Sequence, residues 1–147
     1  MGDSTVGLCS HIVAELGDKE PDLRTYSPLA LAYIGDAIYE VVVRTHVVSK
    51  GNMPVNKLHG ISSNLVKAET QAKLVKLLDE LLTEEEKHVV KRGCNSKPYT
   101  KAKNATMTDY LTATGFEALM GYLYLKNDMD RIIYLVKEGF LRLGEIQ

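Results

Sequence analysis

Apolar residues recur at three- and four-residue steps through nearly the whole chain, the spacing of helices that bury one face. No Asn-Gly or Asp-Gly turn joins two alternating runs, so nothing marks a β-hairpin. The expected fold class is all-α. A first amphipathic helix is predicted over about residues 5–16, ended by Gly17 and followed by the polar connector DKEPDLRTY. Residues 1–26 therefore read as peripheral. Ser27 is placed to cap a long helix that starts at Pro28, a favoured first-turn residue, and runs to about Ser49, with Gly51 beyond its end. Apolar side chains surround this helix rather than forming one stripe, which predicts a central position. Its YEVVVRTHVV stretch has the β-branched character of a buried strand, but no other segment offers a partner.

After Pro54, Leu58, Ile61, Leu65, Ala68, Ala72, Val75 and Leu78 keep helical steps, predicting one long helix or two abutting ones broken near Gly60. Thr83 and Glu86 form a Thr-x-x-Glu capping box that opens a helix running to Arg92 and stopping at Gly93. A polar and basic loop is expected over about 94–106. Two further helices follow, at roughly 108–126 and 129–143, the second with Ile132, Ile133, Leu135, Val136 and Phe140 facing inward. There is no repeat and no low-complexity segment. With 147 residues, 45% of them apolar and only 4 prolines, one domain spanning residues 1–147 is expected.

A net charge of −1 carries no argument for a polyanionic partner, but its distribution does. Between Glu86 and Asp109 there is no acidic residue, while Lys87, Lys91, Arg92, Lys97, Lys101 and Lys103 supply six positive charges, leaving the rest of the chain about seven net negatives. With Asn95, Ser96, Tyr99, Thr100 and Asn104 as further donors, such a loop suits a phosphate backbone, although a solvated surface loop has the same composition. Cys9 and Cys94 are too few for a disulfide framework, which fits a reducing cytoplasm. The first residues lack a signal-peptide pattern, Val6 breaks a myristoylation site, and no stretch of 18 uncharged apolar residues suggests a membrane span. A soluble, cytoplasmic protein is expected. The histidines at 11, 46, 59 and 88 have no metal-ligand spacing.

Two acids sit in apolar surroundings: Asp36, within LALAYIGDAIYE, and Glu117, within TGFEALMGYLYL. An ionised carboxylate near a packed surface costs several kcal/mol unless a cation, a donor or a wet cleft compensates. The neighbours are small, with Ala32, Gly35 and Ala37 around Asp36 and Ala113, Thr114, Ala118 and Gly121 around Glu117, so two helices can cross closely and bring both acids to one metal ion. The plainer reading makes each acid the edge of a polar face, paired with a Lys or Arg.

These two stretches, in this order and at this spacing, resemble the signature helix and the second acidic helix of ribonuclease III. LHGISSNLVKAETQAKL is similar to that family's middle helices, and KRGCNSK with the basic loop to its Gly-x-x-x-Lys segment. The resemblance covers about residues 27–126. No double-stranded RNA-binding domain is expected to follow, and this, with the LALAYIGDA wording, is similar to the family's short branch, the Mini-ribonuclease III proteins. The resemblance implies an all-helical homodimer that cuts both strands of an RNA duplex, with Tyr33 at the dimer seam. It makes Asp36 and Glu117 the catalytic acids and ligands of Mg²⁺, for which Mn²⁺ could substitute, and leaves 5′-phosphate and 3′-hydroxyl ends. Lys91, Arg92, Lys97, Lys101 and Lys103 would hold the RNA. Full-length ribonuclease III carries further acids at the positions of Ala32 and Thr114, so the four-acid site is halved here. Glu40, one turn after Asp36, matches no family ligand. The substrate the short branch implies is the stem of precursor 23S ribosomal RNA in the large subunit, with a ribosomal protein as a helper. The alternative is a non-catalytic RNA-binding dimer of the same fold, associated with ribosome assembly.

Overall fold

The computed structural model describes residues 7–96 and 106–147. Among them there are seven α-helices and no strand: α1 (Leu8–Glu15), α2 (Pro28–Val48), α3 (Val55–Val66), α4 (Ala68–Leu78), α5 (Glu84–Cys94), α6 (Met107–Leu125) and α7 (Met129–Leu143), with short 3₁₀ turns at Leu23–Thr25 and Asp79–Leu81. The YEVVVRTHVV stretch is helical.

The starts of the helices follow local chemistry. The Ser27 hydroxyl accepts from the Ala30 amide at 3.1 Å with Pro28 in the first turn, and Thr106 and Asp128 cap α6 and α7 in the same way. At α5 the expected capping box is complete, Thr83 Oγ1 accepting from Glu86 N (3.1 Å) and Glu86 Oε1 from Thr83 N (2.9 Å). Glu86 is buried and also accepts a two-pronged pair from Arg131 of α7, Nε at 2.8 Å and Nη2 at 2.7 Å. Burial alone would raise its carboxyl, but the bonds from Arg131 and the Thr83 amide outweigh that and hold it below the usual carboxylate range.

Four expectations about the helices change. The break in the middle region falls at Lys67, which takes an extended conformation (φ −66°, ψ 155°), whereas Gly60 lies inside α3. Side chains satisfy the carbonyls freed there: Tyr39 Oη donates to Leu65 O (2.6 Å) and Thr70 Oγ1 to Asn64 O (2.6 Å). A glycine open to solvent on a helix costs only about 1 kcal/mol and need not end it. The helix α5 likewise continues through Gly93 to Cys94, and Ile133 faces outward while Ile132, Leu135, Val136 and Phe140 are buried.

The fourth change concerns the centre of the fold. It is α6, not α2, that is buried nearly all round, through Ala113, Phe116, Ala118, Leu119, Met120, Leu123 and Tyr124. On α2 one face packs inward through Leu31, Ile38, Tyr39, Val43 and Val47, while Tyr33, Val41 and Val48 remain exposed. Apolar residues all round a helix therefore marked two different situations, a buried rod and a rod with a bare apolar face.

Two glycine contacts set how closely the rods approach α6. A Cβ on Gly35 of α2 would collide with the Glu117 carbonyl oxygen and stand 2.6 Å from the Gly121 nitrogen, and a Cβ on Gly121 would collide with the Leu31 carbonyl. On the other side, Gly93 of α5 meets Gly115, where a Cβ would lie 2.6 Å from the Gly115 Cα. Tyr39 and Phe116 meet edge to face beside the first crossing, with ring centroids 5.0 Å apart at 86°. Gly35→Ala must push backbone away from backbone, a harsher change than the roughly 1–3 kcal/mol of ordinary overpacking. Chemical denaturation should show Gly35→Ala destabilised by about 3 kcal/mol or more and Gly60→Ala, where a Cβ meets nothing, unchanged or slightly more stable.

Candidate active site

Asp36 follows Gly35, and the Glu117 carbonyl lies directly against Gly35, so the crossing that joins α2 to α6 also joins the two acids. Their carboxyl groups come within hydrogen-bonding reach of each other. Asp36 is exposed and Glu117 half-buried, so only one of the two stands in the packed environment expected of both. Burial first, and then the charge of Asp36, push the Glu117 carboxyl from its ordinary value of 4.5 up to about 8; Glu40 adds a further push and the Gln71 amide opposes it.

Among the described residues, no Lys, Arg or His pairs with either acid. The plainer reading, an acid neutralised by a basic neighbour, therefore has no support at either position. Glu40 does have such a neighbour: Arg44 Nε donates to its Oε1 at 3.0 Å. Glu117 is also hydrogen-bonded by Gln71 of α4, whose Nε2 donates to Oε2 at 3.3 Å and to Val66 O at 2.8 Å. Gln71 is 2% exposed. The sequence reading passed over it, although a signal exists: Gln71, Leu74 and Leu78 share one helical face, and a glutamine in a stripe of fully buried leucines needs a reason.

The remaining expected residues divide. Lys91 and Arg92 are exposed at the end of α5, directly before Gly93, which packs on Gly115 two residues ahead of Glu117. Lys97, Lys101 and Lys103 lie outside the described residues. Tyr33 is 84% exposed. Ala32 and Thr114 are both buried, and the Thr114 hydroxyl is spent on Tyr110 O at 3.0 Å. No cluster of three or more His, Cys, Asp or Glu residues placed to hold a metal occurs among the described residues, so any ion at Asp36 and Glu117 would rest on two carboxylates and water. Mg²⁺ accepts that arrangement, since it keeps several waters and often takes only one or two protein carboxylates. The donor set is all oxygen, it carries uncompensated negative charge, and it opens to solvent at Asp36, so the residues fit the ion.

Comparison with known proteins decides the family. Residues 29–128 match the model of the ribonuclease III domain, a span from the start of α2 to just past α6 that contains both acids. The chain belongs to the ribonuclease III family. It is 48% identical over 125 residues to the Mini-ribonuclease 3 of Clostridium tetani, covering 83% of each chain, and 46% identical over 126 residues to that of Enterococcus faecalis, covering 84% of this chain and 96% of the other. A crystal structure of a Fusobacterium nucleatum protein superposes with a TM-score of 0.74 at 32% identity, over 80% of this chain and 95% of that one. The protein is thus an endoribonuclease of the ribonuclease III type, and the non-catalytic alternative gives way. No helix of the structure is long and apolar enough to cross a membrane, among the residues described.

The electrostatics of Glu117 set a sign for stability. The folded protein holds the Glu117 proton more tightly than the unfolded chain does, so this group's contribution to stability is full below about pH 4.5 and is lost as pH rises towards about 8. Glu117→Gln removes that slope. In thermal melts without divalent ions, the variant should be more stable than wild type at pH 8, by on the order of 1–3 kcal/mol, and the gap should close towards pH 4.5.

Proposed function

We propose that this ribonuclease III-type enzyme is a Mg²⁺-dependent homodimer that cuts both strands of double-stranded RNA, with Asp36 and Glu117 as the catalytic acids. The observation that carries the reading is the meeting of two unneutralised carboxylates at the glycine crossing, one open to solvent and one half-buried. When bound there, Mg²⁺ would supply charge stabilisation and an activated water; Mn²⁺ offers the same octahedral oxygen chemistry. Asp36 would hold the ion from the solvent side and Glu117 from the protein side. Occupancy would also keep Glu117 ionised, because a cation beside it offsets both burial and the charge of Asp36. Cleavage would leave 5′-phosphate and 3′-hydroxyl ends.

Exposed Lys91 and Arg92 stand on the helix that packs against α6 near Glu117, and with Lys97, Lys101 and Lys103 they would hold the phosphates flanking the cut. Contacts to phosphates and 2′-hydroxyls suit a duplex, whose bases stay stacked inside. The bare apolar face of α2, with Tyr33, Val41 and Val48, supports a homodimer seam, since an uncovered row of this kind marks an interaction surface. The stem of precursor 23S ribosomal RNA is the proposed natural substrate, a ribosomal protein the proposed helper and the cytoplasm the place of action.

With labelled duplex RNA and Mg²⁺, wild type should cleave while Asp36→Asn and Glu117→Gln lose about 10²–10⁴-fold in rate, the loss of a several kcal/mol electrostatic contribution. Equal cleavage by all three proteins would refute the assignment. Replacing Lys91, Arg92 and Lys97 by Gln should weaken duplex binding and lower its salt slope by roughly one per lost phosphate contact, and an unchanged slope would return these charges to solubility alone. Sedimentation should give a dimer for wild type and a monomer for Val41→Glu; a wild-type monomer at micromolar concentration contradicts the seam.

A further inference from the structure

The break at Lys67 does more than turn the chain. It frees the last carbonyls of α3, and three side chains meet them: Thr70 takes Asn64 O, Tyr39 takes Leu65 O, and Gln71 takes Val66 O. Two of these are ordinary caps. Gln71 differs because its amide nitrogen makes a second bond, to Glu117 Oε2 across 46 residues of sequence. The Val66 carbonyl can only accept, so the nitrogen must face it and the amide orientation is fixed. The Oε1 atom is then left buried with no partner among the described residues. An unsatisfied buried acceptor costs about 1–3 kcal/mol, and a leucine here would pack as Leu74 and Leu78 do. Capping one carbonyl does not account for that cost.

We infer that Gln71 is a positioning residue of the active site, fixing the Glu117 carboxylate so that its free oxygen is presented beside Asp36 for the divalent ion. This rests on the reading of Asp36 and Glu117 as metal-holding acids. A neutral donor is the group suited to the task. A lysine or arginine at position 71 would hold the carboxylate equally well but would neutralise it and oppose the cation. The neutral amide restrains one oxygen and leaves the negative charge in place, as hydrogen-bond partners of ligating carboxylates generally do. The restraint is itself fixed from behind, because the same nitrogen is tied to the end of α3.

The test compares Gln71→Met, similar in length but without donors, with Thr70→Val, which removes a neighbouring cap at the same junction and touches neither acid. Mn²⁺ binding without RNA, followed by electron paramagnetic resonance, should weaken about 10–100-fold in Gln71→Met and stay within about twofold of wild type in Thr70→Val. Both variants should lose stability. Binding by Gln71→Met as tight as wild type, with Asp36→Asn abolishing it, would overturn the role of Gln71 and leave the two-acid site standing. Binding undiminished in Asp36→Asn would overturn the site and the inference together. A second measurement needs no variant. Gln71 and Gln147 are the chain's only glutamines, so selective ¹⁵N-glutamine labelling isolates two side-chain amides. The Gln71 resonances should shift during Mg²⁺ titration in step with binding, and resonances unmoved at saturation would overturn the proposal.

Discussion

The close approach of α2 to α6 is the constraint on which the rest of the molecule depends. Gly35 and Gly121 each present bare backbone to a carbonyl of the opposite helix, and no larger residue fits at either position. From that contact follow the burial of Phe116 against Tyr39, the near-complete enclosure of α6 and the meeting of Asp36 with Glu117. A crossing even slightly wider would separate the acids and also open the core beside them. Architecture and chemistry are therefore one contact, with α5 pressing on the opposite flank through Gly93 and Gly115.

That contact holds an electrostatic tension. Two carboxylates in reach of each other, one half-buried, raise the proton affinity of Glu117 and cost stability at neutral pH. Elsewhere the fold settles its charges: Glu86 is buried but is met by Arg131 and by the amide of Thr83, and Glu40 is held by Arg44. Around the half-buried Glu117 no basic side chain among the described residues compensates, and withheld compensation is what a cation-binding centre requires. The contrast between Glu86 and Glu117, a compensated buried acid and an uncompensated half-buried one, supports the proposed chemical role of Glu117 without appeal to similarity.

Much of this was legible from the residues. Capping signals gave the starts of α2 and α5, since a cap is a local bond between neighbours in sequence. Small residues around Asp36 and Glu117 announced a close crossing, and Gly35 and Gly121 form it. What failed was non-local. Gly60 resembled a breaker, but a solvent-facing helical glycine is tolerated, and the true break at Lys67 is set by side chains from α2 and α4 that meet the freed carbonyls. The bare face of α2 looked the same in sequence as the buried circumference of α6, because periodicity reports which positions are apolar and not what covers them. Gln71 escaped notice for the same reason: its partner lies 46 residues away.

The central claim is that Asp36 and Glu117 converge to bind one divalent ion. Anomalous diffraction from a crystal grown with Mn²⁺ tests it most directly. The account requires a manganese peak in contact with oxygens of both carboxylates, with Gln71 still bonded to Glu117. Side chains turned away from each other, with no peak between α2 and α6, would contradict it.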